Sequence, residues 1–416
     1  METPMQRRRL TAGLAAAAAA ALVLTGCSSG STASDGQSAD ALTWAMWIAG
    51  KEDKAAWQKV ADTVKTDDEV DVTIQGSPFN DYWTKLRTQL STGTAPCIVS
   101  IQSLRAANYT DVLVPIDDMA EKANLDLSEY DQTGLDGMKV DGKLYGLPYD
   151  TGPMVMFYNK DIFEKAGVAE PKPGWTVDEF EAAAKDLKAA GTPIWGTSVE
   201  DIPLESMILG YNGGRVIDAD GKLDASNAEF AEGLDWIGGL VKDGYATQAS
   251  TDGSTDDNAF VSGDVAMYSD GPWSIISQKA KVKFDLGITT IPSGTDGPSS
   301  FAAGSGFGIS KQCKYPEQAF KAISTMTNEA TLTSLAEQGR AFPARTAAQQ
   351  AWYDNAGIDG VEDALKTGLD DATPLPGNKQ SDQLNQLFAQ YALQAVNGQT
   401  SGKETMSSIA SQLGSQ

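Results

Sequence analysis

Between Leu42 and Ile101 the apolar residues switch repeatedly between two periods, and this alternation constrains the fold more than any other feature of the chain. Leu42-Thr43-Trp44-Ala45-Met46-Trp47-Ile48 is nearly unbroken in its apolar character, as a buried strand requires. Trp57, Val60, Ala61 and Val64 then recur at helical spacing. Val70 to Gln75 alternates as a strand, and Trp83, Leu86 and Leu90 share one face of a helix that ends near Gly93. Ile98-Val99-Ser100-Ile101 is the next strand. Strands separated by helices pair in parallel and carry the helices on their faces, so the fold class is α/β.

A second unit begins near Pro153. Met154 to Tyr158 reads as a strand, followed by a short helix around Ile162 and Phe163. Thr176-Val177-Asp178-Glu179 has the spacing of a capping box, with Val177, Phe180 and Leu187 facing one way behind it. A long helix is expected over Phe230, Leu234, Ile237 and Val241. Val265 to Tyr268, Phe284 to Ile288 and Gly304 to Ser310 return as strands. Pro316 opens a helix containing Ala319, Phe320 and Ile323, and Leu384, Leu387, Phe388, Tyr391 and Ala395 keep helical spacing after Ser381. The acidic run Asp252, Asp256 and Asp257 lacks a calcium loop's spacing and reads as a solvated turn. A chain of 416 residues exceeds what one hydrophobic core serves, so two lobes are expected.

The N-terminus bears on compartment. Arg7, Arg8 and Arg9 precede an uncharged, Ala-rich stretch from Leu10 to Leu24, shorter than the roughly 20 residues a spanning helix needs. It reads as a signal peptide, for general or twin-arginine export, ending in the lipobox-like Leu24-Thr25-Gly26-Cys27. Cys27 is then the lipidated residue, and the small polar residues 27–40 form a flexible tether. The expected location is the outer face of the cytoplasmic membrane, on the extracellular or periplasmic side. Cys97 and Cys313 remain in an oxidising compartment, either as a disulfide or as two small buried thiols.

A net charge of −24 argues against nucleic acid as a partner. The absence of His removes imidazole-based nucleophile pairs and the commonest zinc ligand, so neither a metal nor a cofactor is expected. An enzyme built from this composition would have to work through carboxylates, Lys or Tyr.

Several segments, taken in order, resemble one family. They are Tyr82-Trp83-Thr84-Lys85-Leu86 running into Ser91-Thr92-Gly93-Thr94-Ala95-Pro96, then Gly142 to Asp150, and Phe157 to Gly167. Trp175 to Phe180, Phe260 to Met267, Gly271-Pro272-Trp273 and Gly306 to Ser310 before Pro316-Glu317-Gln318-Ala319 complete the series. This ordered set is similar to the extracellular solute-binding proteins of carbohydrate ABC importers, of the maltose-binding-protein type. The resemblance implies a two-lobed periplasmic-binding-protein-like fold with a ligand cleft between the lobes. It places residues 41–150 and 305–348 in the N-terminal lobe, and residues 151–304 and 349–416 in the C-terminal lobe. It implies a monomer that binds a mono- or oligosaccharide by hinge closure, delivers it to membrane permease subunits, and catalyses nothing. One departure stands out: Cys97 follows Ala95-Pro96 where the family usually has Asp. Since the family places the segments of Cys97 and Cys313 in the same lobe, the resemblance also supports their disulfide.

A pyranose has apolar C–H faces and a rim of hydroxyls, so a binder needs aromatic plates and planar polar groups. Nine Trp exceed what cores of this size use. Trp273 matches a position where the family stacks sugar, and Trp47 points from the end of the first strand toward the same mouth. Gln102 and Arg105 follow the third strand, at the ligand-facing end of an open α/β sheet. Tyr149 and Asp150 stand where the chain first crosses between lobes, serving either as hydroxyl binders or as hinge caps. Glu200, Asp201 and Asp270 are the candidate carboxylates of the second lobe, and Asn378 and Lys379 are candidates for a rim from the C-terminal segment. Trp175 and Trp195 read as structural. Three other readings remain open: a binder of a non-sugar solute, a surface glycoside hydrolase driven by carboxylates, and an adhesive lipoprotein without a small ligand.

Overall fold

The computed structural model describes residues 37–48, 50–199, 201–250, 255–294, 297 and 299–414. The signal peptide, the lipobox with Cys27, the tether up to Gly36, Glu200 and Asp252 lie outside the described residues.

Among the described residues nine strands build the two larger sheets: β1 (Ala41–Trp47), β2 (Asp71–Ser77), β3 (Ile98–Gln102), β4 (Leu147–Pro153), β5 (Val155–Asn159), β6 (Met267–Asp270), β7 (Leu286–Thr290), β8 (Ser300–Ile309) and β9 (Ala372–Pro374). The helices that matter below are α1 (Lys51–Asp68), α2 (Phe79–Thr92), α3 (Val177–Ala189), α4 (Asp201–Asn212), α5 (Ala228–Lys242), α6 (Pro316–Met326), α7 (Glu329–Glu337), α8 (Val361–Asp370), α9 (Ser381–Val396) and α10 (Gly402–Leu413).

In the first sheet the order is β9-β8-β3-β1-β2, with β4 also paired to β8. β1 pairs in parallel with both β2 and β3, as the strand–helix alternation implies. β8 runs antiparallel to β3 and to β4. Because β1 lies between two neighbours and under helices, side chains on both its faces are buried, including Trp44, Ala45 and Met46. Trp44 donates its indole N–H to Ser100 Oγ across the sheet at 3.0 Å. α1 covers this sheet with Trp57, Val60, Ala61 and Val64.

The second sheet is a three-stranded antiparallel array, β6-β5-β7. The capping box of α3 forms as its spacing predicts: Thr176 Oγ1 accepts from the Glu179 N–H, and Glu179 returns a carboxylate to the Thr176 N–H at 2.8 Å. Trp175 and Trp195 are buried, their indoles donating to Thr290 O and Ser269 Oγ.

Two lobes follow from how the apolar faces cluster. One cluster joins β1–β3, α1, α2 and α6. Two others join the second sheet to α3, α4, α5, α8, α9 and α10. β8 belongs to both lobes, placing Phe307 and Ile309 in the first cluster and Phe301 and Ala303 in the second. Cys97 and Cys313 form a disulfide with Cα atoms 4.4 Å apart. It sits where β3 begins and β8 has just ended, and it joins two segments of the first cluster that lie 216 residues apart in the sequence.

One expectation is corrected. Asp256 and Asp257 do not lie on a solvated turn but open a helix over Thr255–Ser262. Asp256 is buried, and burial lifts its carboxyl to about 6, while Asp257 pairs with Lys281 at 3.0 Å. Asp256 and Asp257 are drawn in because they lie in the first turn of a helix packed on β6, a placement that charge pattern alone does not reveal.

Candidate ligand-binding site

A cavity of about 400 Å³ opens beyond the carboxyl ends of β1 and β3 and is walled by both lobes. Ligands of open α/β sheets bind at such strand ends, because loops there diverge and leave a crevice. Trp47 ends β1, Gln102 ends β3 and Arg105 follows it; β4 adds Tyr149 and Asp150. β8 contributes Ala303, Gly304 and Ser305. The second lobe faces them with Ile202 and Pro203 of α4, Asp270 at the end of β6, and Trp273.

Aromatic rings form the walls. Trp47 meets Phe79, Tyr82 and Trp83 at centroid distances of 5.7, 5.2 and 5.5 Å. The first two are edge contacts and the third is tilted; such aromatic pairs hold the rings in fixed orientations and stabilise each pair by about 1 kcal/mol. Tyr149 stacks on Phe307 at 4.7 Å and meets Trp57 edge-on at 5.1 Å, so it forms floor rather than rim. Among the described residues the exposed large apolar side chains are Phe79 (40%) and Trp273 (37%), and both line this cavity. They belong to opposite lobes. The Trp273 ring folds back over Gly271, where a Cβ would lie 2.2 Å from it, so only glycine permits this pose.

The polar groups are held by the backbone or by ion pairs. Asp150 accepts a hydrogen bond from the Ser305 N–H at 2.5 Å. Burial pushes its carboxyl up to about 7, against the opposing pull of Ser305 and the Arg340 charge. Asp270 accepts from the Gly271 N–H at 2.7 Å and from the Tyr268 hydroxyl at 3.0 Å. Burial raises its pKa too, and those same bonds hold it down. Arg340 pairs with Asp53 and lies 6.0 Å from the Trp57 ring centre. Arg105 lies 4.7 Å above the Trp83 ring and pairs with Asp382 at 3.4 Å. The chemistry is that of reversible recognition: rings that cover C–H surface beside fixed donors and acceptors.

The structure thus brings Trp47, Gln102, Arg105, Tyr149, Asp150, Asp270 and Trp273 together. Asp201 begins α4, next to the lining residues Ile202 and Pro203. Asn378 and Lys379 are not brought to the cavity. Asn378 donates its side-chain amide to Gly221 O at 3.1 Å, and Lys379 pairs with Asp111 at 3.1 Å. Just before them, Gly377 packs so closely on Leu104 O that a Cβ would come within 2.1 Å of it. Sequence reasoning missed Asp53 and Trp57 on α1, Phe79 at the start of α2, and Arg340. Phe79 carried one usable signal: it lies four residues before Trp83, extending the helical face of Trp83, Leu86 and Leu90 to the open start of the helix.

The sequence profile of the family described as bacterial extracellular solute-binding protein matches residues 59–360. The maltodextrin-binding protein of Bacillus subtilis is 27% identical over 57% of this chain and 58% of its own length. The lactose-binding protein of Rhizobium radiobacter is 30% identical over 46% of this chain and 47% of its own. The chain therefore spans about half the length of these curated relatives. Among solved structures, an ABC substrate-binding protein from Listeria monocytogenes in complex with cycloalternan is 25% identical, with a TM-score of 0.77, covering 90% of this chain and 97% of that one. The maltose-bound MalE3 of T. maritima, at 20% identity and a TM-score of 0.72, shares the fold.

Proposed function

This chain belongs to the family of bacterial extracellular solute-binding proteins, and on that premise we propose that it captures a mono- or oligosaccharide for an ABC importer. In this reading the sugar is held between the lobes by hinge closure, undergoes no reaction, and passes to permease subunits in the membrane. The lobes divide as residues 41–150 with 305–348 and 151–304 with 349–416. The N-terminal segment directs export, and lipid on Cys27 holds the monomer at the outer face of the membrane.

The observation that carries this reading is the pair of exposed aromatic side chains, Phe79 and Trp273, on opposite lobes of one cavity. Large exposed rings are costly in water unless something covers them. A sugar's C–H face covers such a ring, while Gln102, Arg105, Asp150 and Asp270 meet its hydroxyls. Relatives named for maltodextrin and lactose binding, and a neighbour in complex with cycloalternan, support the substrate class.

Thermal stability measured against glucose, maltose, maltotriose and lactose tests the reading. A ligand at a hundredfold excess over its Kd adds about 2.7 kcal/mol to the folded state. A shift with one of these sugar classes, lost in Trp273→Ala, supports it. A shift with amines or peptides and none with sugars would keep a solute binder and discard carbohydrate.

A further inference from the structure

Arg105 faces two ways. Its guanidinium lines the cavity, stacks on Trp83, and also reaches Asp382 in the first turn of α9. Asp382 takes a second ion pair from Arg87 on α2. The two arginines belong to elements of the first lobe, whereas α9 packs in the second-lobe cluster through Leu384, Leu387 and Phe388. One carboxylate therefore holds two cations of the facing lobe, behind the wall of the cavity.

We propose that Asp382 is a positioning residue: it ties α9 to the first lobe through Arg87 and Arg105, and it sets the Arg105 guanidinium in the cavity wall. Three features give the tie weight. The Asp382 side chain is 22% exposed and that of Arg105 only 15%, so this arm is shielded from the screening that weakens surface pairs. Asp382 lies in the first turn of a 16-residue helix, where the unpaired N–H groups favour a carboxylate. Trp83 fixes the plane of the guanidinium from the other side, so Arg105 is held between a ring and a carboxylate. The neighbouring pair Lys379–Asp111 is well exposed at both ends and adds little.

The tie also bears on ligand capture, and that arm rests on the reading of Arg105 as a ligand contact. An arginine with no counter-ion behind it would reorient on binding and lose part of the gain. With Asp382 in place the donor is already aimed, and a change in lobe angle is felt at the cavity wall.

Amide hydrogen exchange on the sugar-free protein tests the tie. Losing a charge-assisted bond of this kind shifts a local opening equilibrium by about tenfold. Asp382→Asn is expected to exchange about tenfold faster than wild type across residues 104–109 and 380–386, with Asp382→Glu restoring protection. In an Arg87→Lys/Arg105→Lys background, Asp382→Asn should add less than it does alone. Unchanged exchange in Asp382→Asn would overturn the proposal, as would equal behaviour of the Asn and Glu variants or fully additive effects. No sugar enters these measurements, so their failure leaves the carbohydrate reading standing, and failure of that reading leaves the tie standing.

Discussion

Asp150 is the residue whose surroundings make the sharpest demand on solution behaviour. It is enclosed by β4 and β8, accepts the Ser305 N–H, and has a carboxyl lifted to about 7. A carboxyl that ionises less readily in the folded state than in the unfolded chain favours folding while it is protonated. That contribution is complete below the usual carboxylate range near 4 and is lost as pH rises through about 7. Asp150→Asn keeps the acceptor for Ser305 and removes the titration. Its stability relative to wild type should therefore rise between pH 4 and 7, as read from urea midpoints at each pH; parallel profiles would refute the assignment. Trp273 makes the opposite case. At 37% exposed it is one of the two most open large apolar side chains among the described residues, so Trp273→Ala should still fold and lose its response to sugar.

At the scale of elements, local chemistry decides where helices start, and packing decides how much each start matters. α3 buries Val177, Phe180, Ala184 and Leu187, and its first turn is closed by Thr176 and Glu179. Thr176→Ala leaves the Glu179 N–H without its side-chain acceptor and should cost about 1 kcal/mol in unfolding free energy. Thr176→Ser should restore most of it. The N-terminus of α2 shows the limit of local rules: Pro78 precedes it and no side chain caps it. Its position is set instead by Tyr82, which donates to Ser100 O at 2.7 Å, and by the ring cluster around Trp47. Helical spacing puts Phe79 on the face of Trp83, and the ring cluster holds it in the cavity wall.

At the scale of the whole molecule, two long-range connections hold distant segments in place. The Cys97–Cys313 bridge closes a loop of 216 residues. In the chain-entropy picture a loop of that length stabilises the fold by roughly 5 kcal/mol or slightly more. Cys313→Ser should lower the urea midpoint accordingly, and reductant should do the same to wild type while leaving the variant unchanged. β8 is the second connection, since it enters both cores along ten consecutive buried residues.

The sequence by itself determined the elements and much of the cavity's chemistry. Period-2 and period-3.6 patterns need only neighbouring residues, so β1 to β3, α1, α3 and α9 were legible, as was the capping box at Thr176. Strand ends are equally local, which is why Trp47, Gln102 and Arg105 could be singled out before any coordinates. Tertiary structure alone decided which distant side chains meet. Asp53, Trp57 and Arg340 join the cavity because α1 and the segment after α7 pack beside β4. Asn378 and Lys379 are held outside it by Gly221 O and Asp111. Asp256 is buried by a helix whose neighbours lie elsewhere in the chain. A residue's type and periodicity are written in its near neighbours, whereas its burial and its partners depend on the packing of segments that are not its neighbours in the chain.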